Sequence, residues 1–302
     1  MTTCRLERLA MLCSILLLLA QPSLAQSLKV AKPVQTQSQW ISFAPPDEEI
    51  TAMLPARPTI RTYPIYISPN TAKYGSNPNS KYESLLAHHE YGGYGDGLVF
   101  IIHSFKAEHP AKLSEGLNLI KETDLPHQTK IGDVTADDFH TIVPNLYAAY
   151  TKRTLRFITA NHLYVIMLMV LDDNSPVRDQ FVSAIKLRRA GDQAIAIEPS
   201  NELNTSYVWD PKDVTRKAIV VWKPQPLYNK EARDHQTRGT VTLQVVFGEN
   251  GYVTDITVVN GLADGLTEAA IDVARNIRFF PAEKDGQRVA QRAKVDYTFD
   301  LL

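Results

Sequence analysis

Two kinds of apolar spacing divide the chain. From Leu98 to Phe105 and from Leu163 to Leu171, β-branched, aromatic and large aliphatic residues run almost unbroken between polar or turn residues, the pattern of buried strands. Leu113, Leu117 and Ile120 fall between them at helical spacing. Val177, Phe181, Val182 and Ile185 do the same after the turn formers Asp172-Asp173-Asn174-Ser175-Pro176. Strands with helices packed beside them predict an α+β domain over residues 38–187, opened by a β-rich stretch around Trp40, Phe43, Ile50 and Met53-Leu54-Pro55. A polar stretch holding Pro199, Asn201, Asn204 and Pro211 reads as a linker over 188–212 with one short strand. A second domain then fills 213–302.

That second domain is patterned more sharply. Val241, Leu243, Val245 and Phe247 alternate along one strand, Glu249-Asn250-Gly251 supplies a tight hairpin turn, and Val253 to Val259 is the partner strand. Leu266, Ala269, Ala270, Val273, Ala274 and Ile277 then form one helical stripe, with Asp264 or Thr267 as candidate caps and Pro281 just beyond. After the Lys284-Asp285-Gly286-Gln287 turn, Val289 to Phe299 is a long closing strand.

The hairpin, helix and strand order, preceded by Pro226, Tyr228 and Ala232-Arg233, resembles the C-terminal domain of the TonB energy-transducer family. Gly239-Thr-Val241, Gly251-Tyr-Val253, Val258-Val259, Ala269-Ala270, Phe280-Pro281-Ala282, Gly286 and Val289 also match, and the likeness is confined to 213–302. It implies capture of an extended segment of an outer-membrane transporter or other envelope protein by strand addition beside the last strand. Transferred residue by residue, the platform is Val289 to Phe299. Gln291, Ala293, Val295, Tyr297 and Phe299 lie on one side and Ala290, Arg292, Lys294 and Asp296 on the other, with Tyr228 bracing the approach. The expected partner-binding residues are therefore Tyr228, Gln291, Arg292, Ala293, Lys294, Val295, Asp296 and Tyr297. The opposing possibility is a strand covered by its own chain or by a second copy, as in a homodimer. Two departures from the family stand out: Asn229 follows Tyr228 where proline is common, and no Pro-rich spacer is present.

The start of the chain bears on localisation. Arg5 and Arg8 precede an apolar run from Leu9 to Ala20, and Ser23-Leu24-Ala25 offers a cleavage site, so 1–25 reads as a signal peptide and 26–37 as a flexible leader. This run of twelve residues, interrupted by Ser14, falls short of the roughly 20 that span a bilayer as a helix. The expectation is a periplasmic protein, with an inner-membrane anchor as the alternative if the leader is retained. Both cysteines, Cys4 and Cys13, lie in that segment, which leaves the exported chain without disulfides, thiol nucleophiles or thiolate metal sites.

Charge and motifs narrow the function. Lys+Arg 32 against Asp+Glu 33 gives no basic footprint for nucleic acid. Ser183-Ala-Ile-Lys186 fits S-x-x-K without its companion motifs, at the end of a predicted helix. His88-His89-Glu90, with His103 and His109 as possible neighbours, lacks zincin spacing and reads as a solvated pair. Tyr91-Gly-Gly-Tyr-Gly-Asp-Gly97 reads as a strand connection, and Asp137-Asp138 and Asp172-Asp173 as turn acids. No catalytic residue, metal or cofactor is expected, and the leading reading is a non-enzymatic binding protein. The alternative makes the first domain a small-ligand binder or envelope enzyme with the second as a tether.

Overall fold

The apolar run of Leu98–Phe105 becomes the centre of an antiparallel sheet because both of its faces are covered. The computed structural model describes residues 40–63, 85–107, 113, 125–198 and 206–300. Two short strands, β1 (Ile41–Phe43) and β2 (Ile50–Leu54), precede the seven that build this sheet: β3 (Thr59–Tyr63), β4 (Leu85–Gly95), β5 (Leu98–Ala107), β6 (His127–Ile131), β7 (Val134–Val143), β8 (Tyr150–Ile158) and β9 (His162–Val170). Their order is β3-β4-β5-β9-β8-β7-β6, with β5 between β4 and β9, its register with β4 shifting only between Leu85 and Ala87. Leu98, Phe100 and Ile102 point into one core with Phe43, Ile50, Leu54 and Phe181, the last from α1 (Pro176–Ala184). Val99 and Ile101 point the other way and meet Ile219 and Phe280 from the C-terminal part of the chain.

Beyond α1, β10 (Lys186–Leu187) pairs with β2, and β11 (Val208–Trp209) falls in the stretch read as a linker. Next come β12 (Ile219–Trp222), α2 (Lys230–Asp234), β13 (Gly239–Phe247), β14 (Val253–Asn260), α3 (Leu266–Ala274), β15 (Arg278–Phe280), β16 (Ala282–Lys284) and β17 (Gln287–Phe299). A second sheet has the order β11-β17-β13-β14, with β16 also on β17, while β12 pairs with β15. α3 lays Leu266, Ala270, Val273 and Ala274 on this sheet against Val241, Leu243, Val245 and Tyr297. The helix begins after Gly265 in the left-handed region, and neither expected residue caps it by side chain. Thr267 Oγ1 instead donates to Leu262 O at 2.7 Å and accepts from Leu262 N at 2.8 Å.

The two sheets interlock. Arg278 runs from β15 across to β4, where its Nη2 lies 3.3 Å from Glu90 Oε1 and also donates to Thr59 Oγ1; Arg278 is 2% exposed and Glu90 1%. Gly92 makes this crossing possible, since a Cβ there would overlap the guanidinium. Tyr252 donates to Arg57 O, and Arg61 Nη2 meets Asp272 Oδ2 at 2.8 Å.

Several expectations change. The α+β expectation shifts toward β: the described chain is mostly strand, with few helices. Leu113 is helical and buried, but the rest of its predicted helix, with His109, lies outside the described residues, as does the leader. Tyr91 to Gly95 are strand positions of β4 and the tyrosines are buried; only Asp96-Gly97 turns the chain. Asp137 and Asp138 are not turn acids but lie in β7, where they bind Arg156 and Arg153 of β8. His88 and His89 do point apart, yet His88 is wholly buried rather than solvated. It stacks on Phe105 and lies 2.8 Å from the buried His103, because adjacent β4 and β5 positions face the same interior. Burial holds both imidazoles below their ordinary pKa.

Candidate functional site

The alternation read along the closing strand sets the geometry of its edge. Gly239–Phe247 of β13 pairs residue for residue with Gln291–Phe299 of β17. Val295, Tyr297 and Phe299 are buried in the α3 core and Ala293 packs partly against it, whereas Arg292, Lys294 and Asp296 are exposed. Ala290 departs from the expected face pattern: it is fully buried at the point where β11 joins.

The other long side of β17 is not uniform. Gln287 to Val289 pair with β16, and Ala290 and Gln291 pair in parallel with Val208 and Trp209 of β11. The first part of the predicted platform is thus covered by the chain itself, and Gln291 is committed there. Its Oε1 accepts from Ala218 N at 3.0 Å and its Nε2 donates to Arg292 O at 3.3 Å. From Arg292 to Phe299, no described strand pairs with this side.

The N–H and C=O of one strand residue point the same way. Asp296 O accepts a bond from outside the β13–β17 pair, so Asp296, and with it Arg292, Lys294 and Thr298 at the same alternation, aim their backbone groups outward. The donor to Asp296 O is Lys223 Nζ at 2.5 Å, which also stands 4.5 Å over the Tyr297 ring. Burial lowers the Lys223 pKa, opposed by the charge of Asp296. Lys223 was not anticipated from sequence; no spacing links it to a strand 73 positions away.

Tyr228 closes the far end. Its hydroxyl donates to Thr237 O at 2.7 Å and its ring meets Phe299 edge-on at 6.0 Å, so it braces the segment between β12 and α2. Asn229 uses the side chain that a proline would lack. Its Oδ1 accepts from Ala232 N at 2.8 Å, capping α2, and its Nδ2 donates to Asp264 O at 2.6 Å. Burial pushes the Tyr297 phenol up, and its hydroxyl has no partner among the described residues.

A polar cluster with no sequence signature lies where the loop between β1 and β2 meets β4, β5 and β9. Buried Glu48 accepts from Tyr91 OH at 2.9 Å, Ser104 Oγ at 2.6 Å and Tyr164 OH at 2.9 Å, and His89 Nδ1 lies 3.1 Å from Oε1. Burial alone would raise its pKa, but the bonds from His89, Ser104 and Tyr164 together hold it below the ordinary carboxylate value. These groups are spent on one another, which is the arrangement of an internal tie. Ser183, the S-x-x-K serine, donates its hydroxyl to Asp179 O at 2.8 Å. A cleft of 910 Å³ near β2 and β10 is lined by Thr51, Asp133, Lys186, Arg188 and Asp192.

No helix among the described residues is long and apolar enough to cross a membrane. Comparison with curated proteins returns no match. Residues 224–301, which hold Tyr228, α3 and all of β17, match the family described as Gram-negative bacterial TonB protein C-terminal, so this segment is a TonB C-terminal domain.

Proposed function

We propose that the protein is an exported, non-enzymatic binding protein of the cell envelope. Its C-terminal domain takes an extended segment of an outer-membrane transporter, or of another envelope protein, as an added strand beside Arg292–Thr298. The observation that carries this reading is the side of β17 that no described strand occupies, next to a section that β11 and β16 already cover. An incoming strand finds the outward backbone groups of Lys294 and Thr298 as its ladder, with Asp296 O shared with Lys223 and Arg292 O with Gln291, and Arg292, Lys294 and Asp296 as selective side chains. The family match supports a partner of this class and a link to TonB-dependent transport. The mutual satisfaction of the Glu48 cluster supports a structural role for the first domain.

Hydrogen exchange on the full chain tests the reading. The amides of Lys294, Asp296 and Thr298 should exchange quickly in the free monomer and become protected when an extended transporter segment is added. Amides already protected in the free monomer would remove the docking edge. Protection that appears only with rising protein concentration would make a second copy the occupant.

A further inference from the structure

We propose that Glu231, His235 and Asp264 form a binding site for a divalent transition-metal cation of the zinc type. Glu231 and His235 sit one helical turn apart at α2, and the bond from His235 N to Glu231 O, 2.9 Å, holds them on one face. Asp264, from the loop before α3, comes to the same point. Its Oδ1 lies 3.0 Å from His235 Nδ1, and one ligand atom from each of the three residues lies within 4.8 Å of the others.

The distances suit a metal. Ligand atoms about 2.1 Å from a tetrahedral ion stand about 3.4 Å from one another. The His235–Asp264 pair needs only slight opening, and exposed Glu231 can swing inward by rotamer change. Two carboxylates gathered around one imidazole repel each other, and a dication removes that repulsion. A mixed nitrogen and oxygen set favours zinc over magnesium or calcium, which prefer oxygen ligands alone. Water would fill the remaining position.

The surroundings fix the central ligand. Thr237 Oγ1 donates to Asp264 Oδ2, and Asn229 Nδ2 donates to Asp264 O while the same side chain caps α2. Outer partners that orient a ligand in this way tune a metal site as well as the ligands do. The site ties α2 to the 262–265 loop, next to Tyr228, and does not depend on what docks at β17.

The test titrates the full chain, free of any histidine tag, with zinc chloride by calorimetry and follows thermal unfolding with and without zinc. The expected result is one saturable zinc site per chain and a raised Tm, both lost in His235→Ala and in Glu231→Gln. Thr237→Val, which leaves all three ligands in place, should weaken binding about 10–100-fold. His235 and Glu231 are exposed, so these two variants keep the fold. Absence of saturable zinc binding would overturn the proposal. So would a His235→Ala protein that binds zinc with unchanged affinity and stoichiometry, or magnesium binding as tightly as zinc.

Discussion

Replacing Arg278 by alanine should destabilise the whole molecule, because the residue joins the two sheets through a buried charge. Arg278 and Glu90 are both almost completely buried and meet at 3.3 Å, with Thr59 as a second acceptor. Removing one partner of a buried pair leaves the other desolvated and costs about 3–5 kcal/mol. With a urea m-value of about 3 kcal/mol/M, a loss of about 4 kcal/mol lowers the unfolding midpoint by about 1.3 M. The double variant Arg278→Leu, Glu90→Leu separates charge from packing. It should recover most of the loss, since apolar replacement of a buried ion pair is close to neutral. Urea unfolding of wild type, Arg278→Leu, Glu90→Leu and the double variant, followed by tryptophan fluorescence, provides the cycle, with Arg278→Ala measured beside it. A single-variant loss below about 1 kcal/mol, or a double variant no better than Arg278→Ala, would refute the reasoning.

Other consequences are equally direct. Lys223→Ala should expose Asp296 O and tighten binding of an added strand by up to about tenfold, one hydrogen bond's worth; titration of a fluorescent peptide measures this, and weaker binding would make Lys223 part of the recognition surface. Tyr297→Phe should be neutral or stabilising by up to about 1 kcal/mol, because the phenol hydroxyl is buried without a described partner; thermal unfolding decides it. Glu48, whose folded pKa is lowered, contributes stability that is present above its unfolded pKa of about 4.3 and lost as pH falls through the folded value. His89 is raised, chiefly by its bond to Glu48, so its contribution is full below about pH 6.5 and lost as pH rises through its folded value. Glu48→Gln should therefore flatten the stability profile at both ends, and an unchanged profile in urea unfolding across pH 3 to 8 would contradict this. Gly92→Val should expel Arg278 from β4 and approach the instability of Arg278→Ala, as unfolding of the two variants side by side would show.

Local patterning sufficed wherever one strand or helix needed only its own period. The alternation of Gln291, Ala293, Val295, Tyr297 and Phe299 gave the inner face of β17 directly. The stripe from Leu266 to Ala274 gave α3, and Asn250-Gly251 gave its hairpin. Period fails where partners come from distant sequence. The glycines at 92, 93 and 95 look like loop residues until Arg278 is seen lying against Gly92, and Pro55 against Gly95. His88 looks solvated until β5 brings His103 beside it.

The sequence alone therefore determined the C-terminal domain and the two faces of its last strand from Gln291 onward, because a side-chain period is a property of neighbouring residues and survives without tertiary context. Only the tertiary structure decided where the edge of that strand opens, that Lys223 reaches across it, and that Glu231, His235 and Asp264 converge. Each of these depends on the distance between residues far apart along the chain, which is set when the sheets pack and has no signature in local spacing.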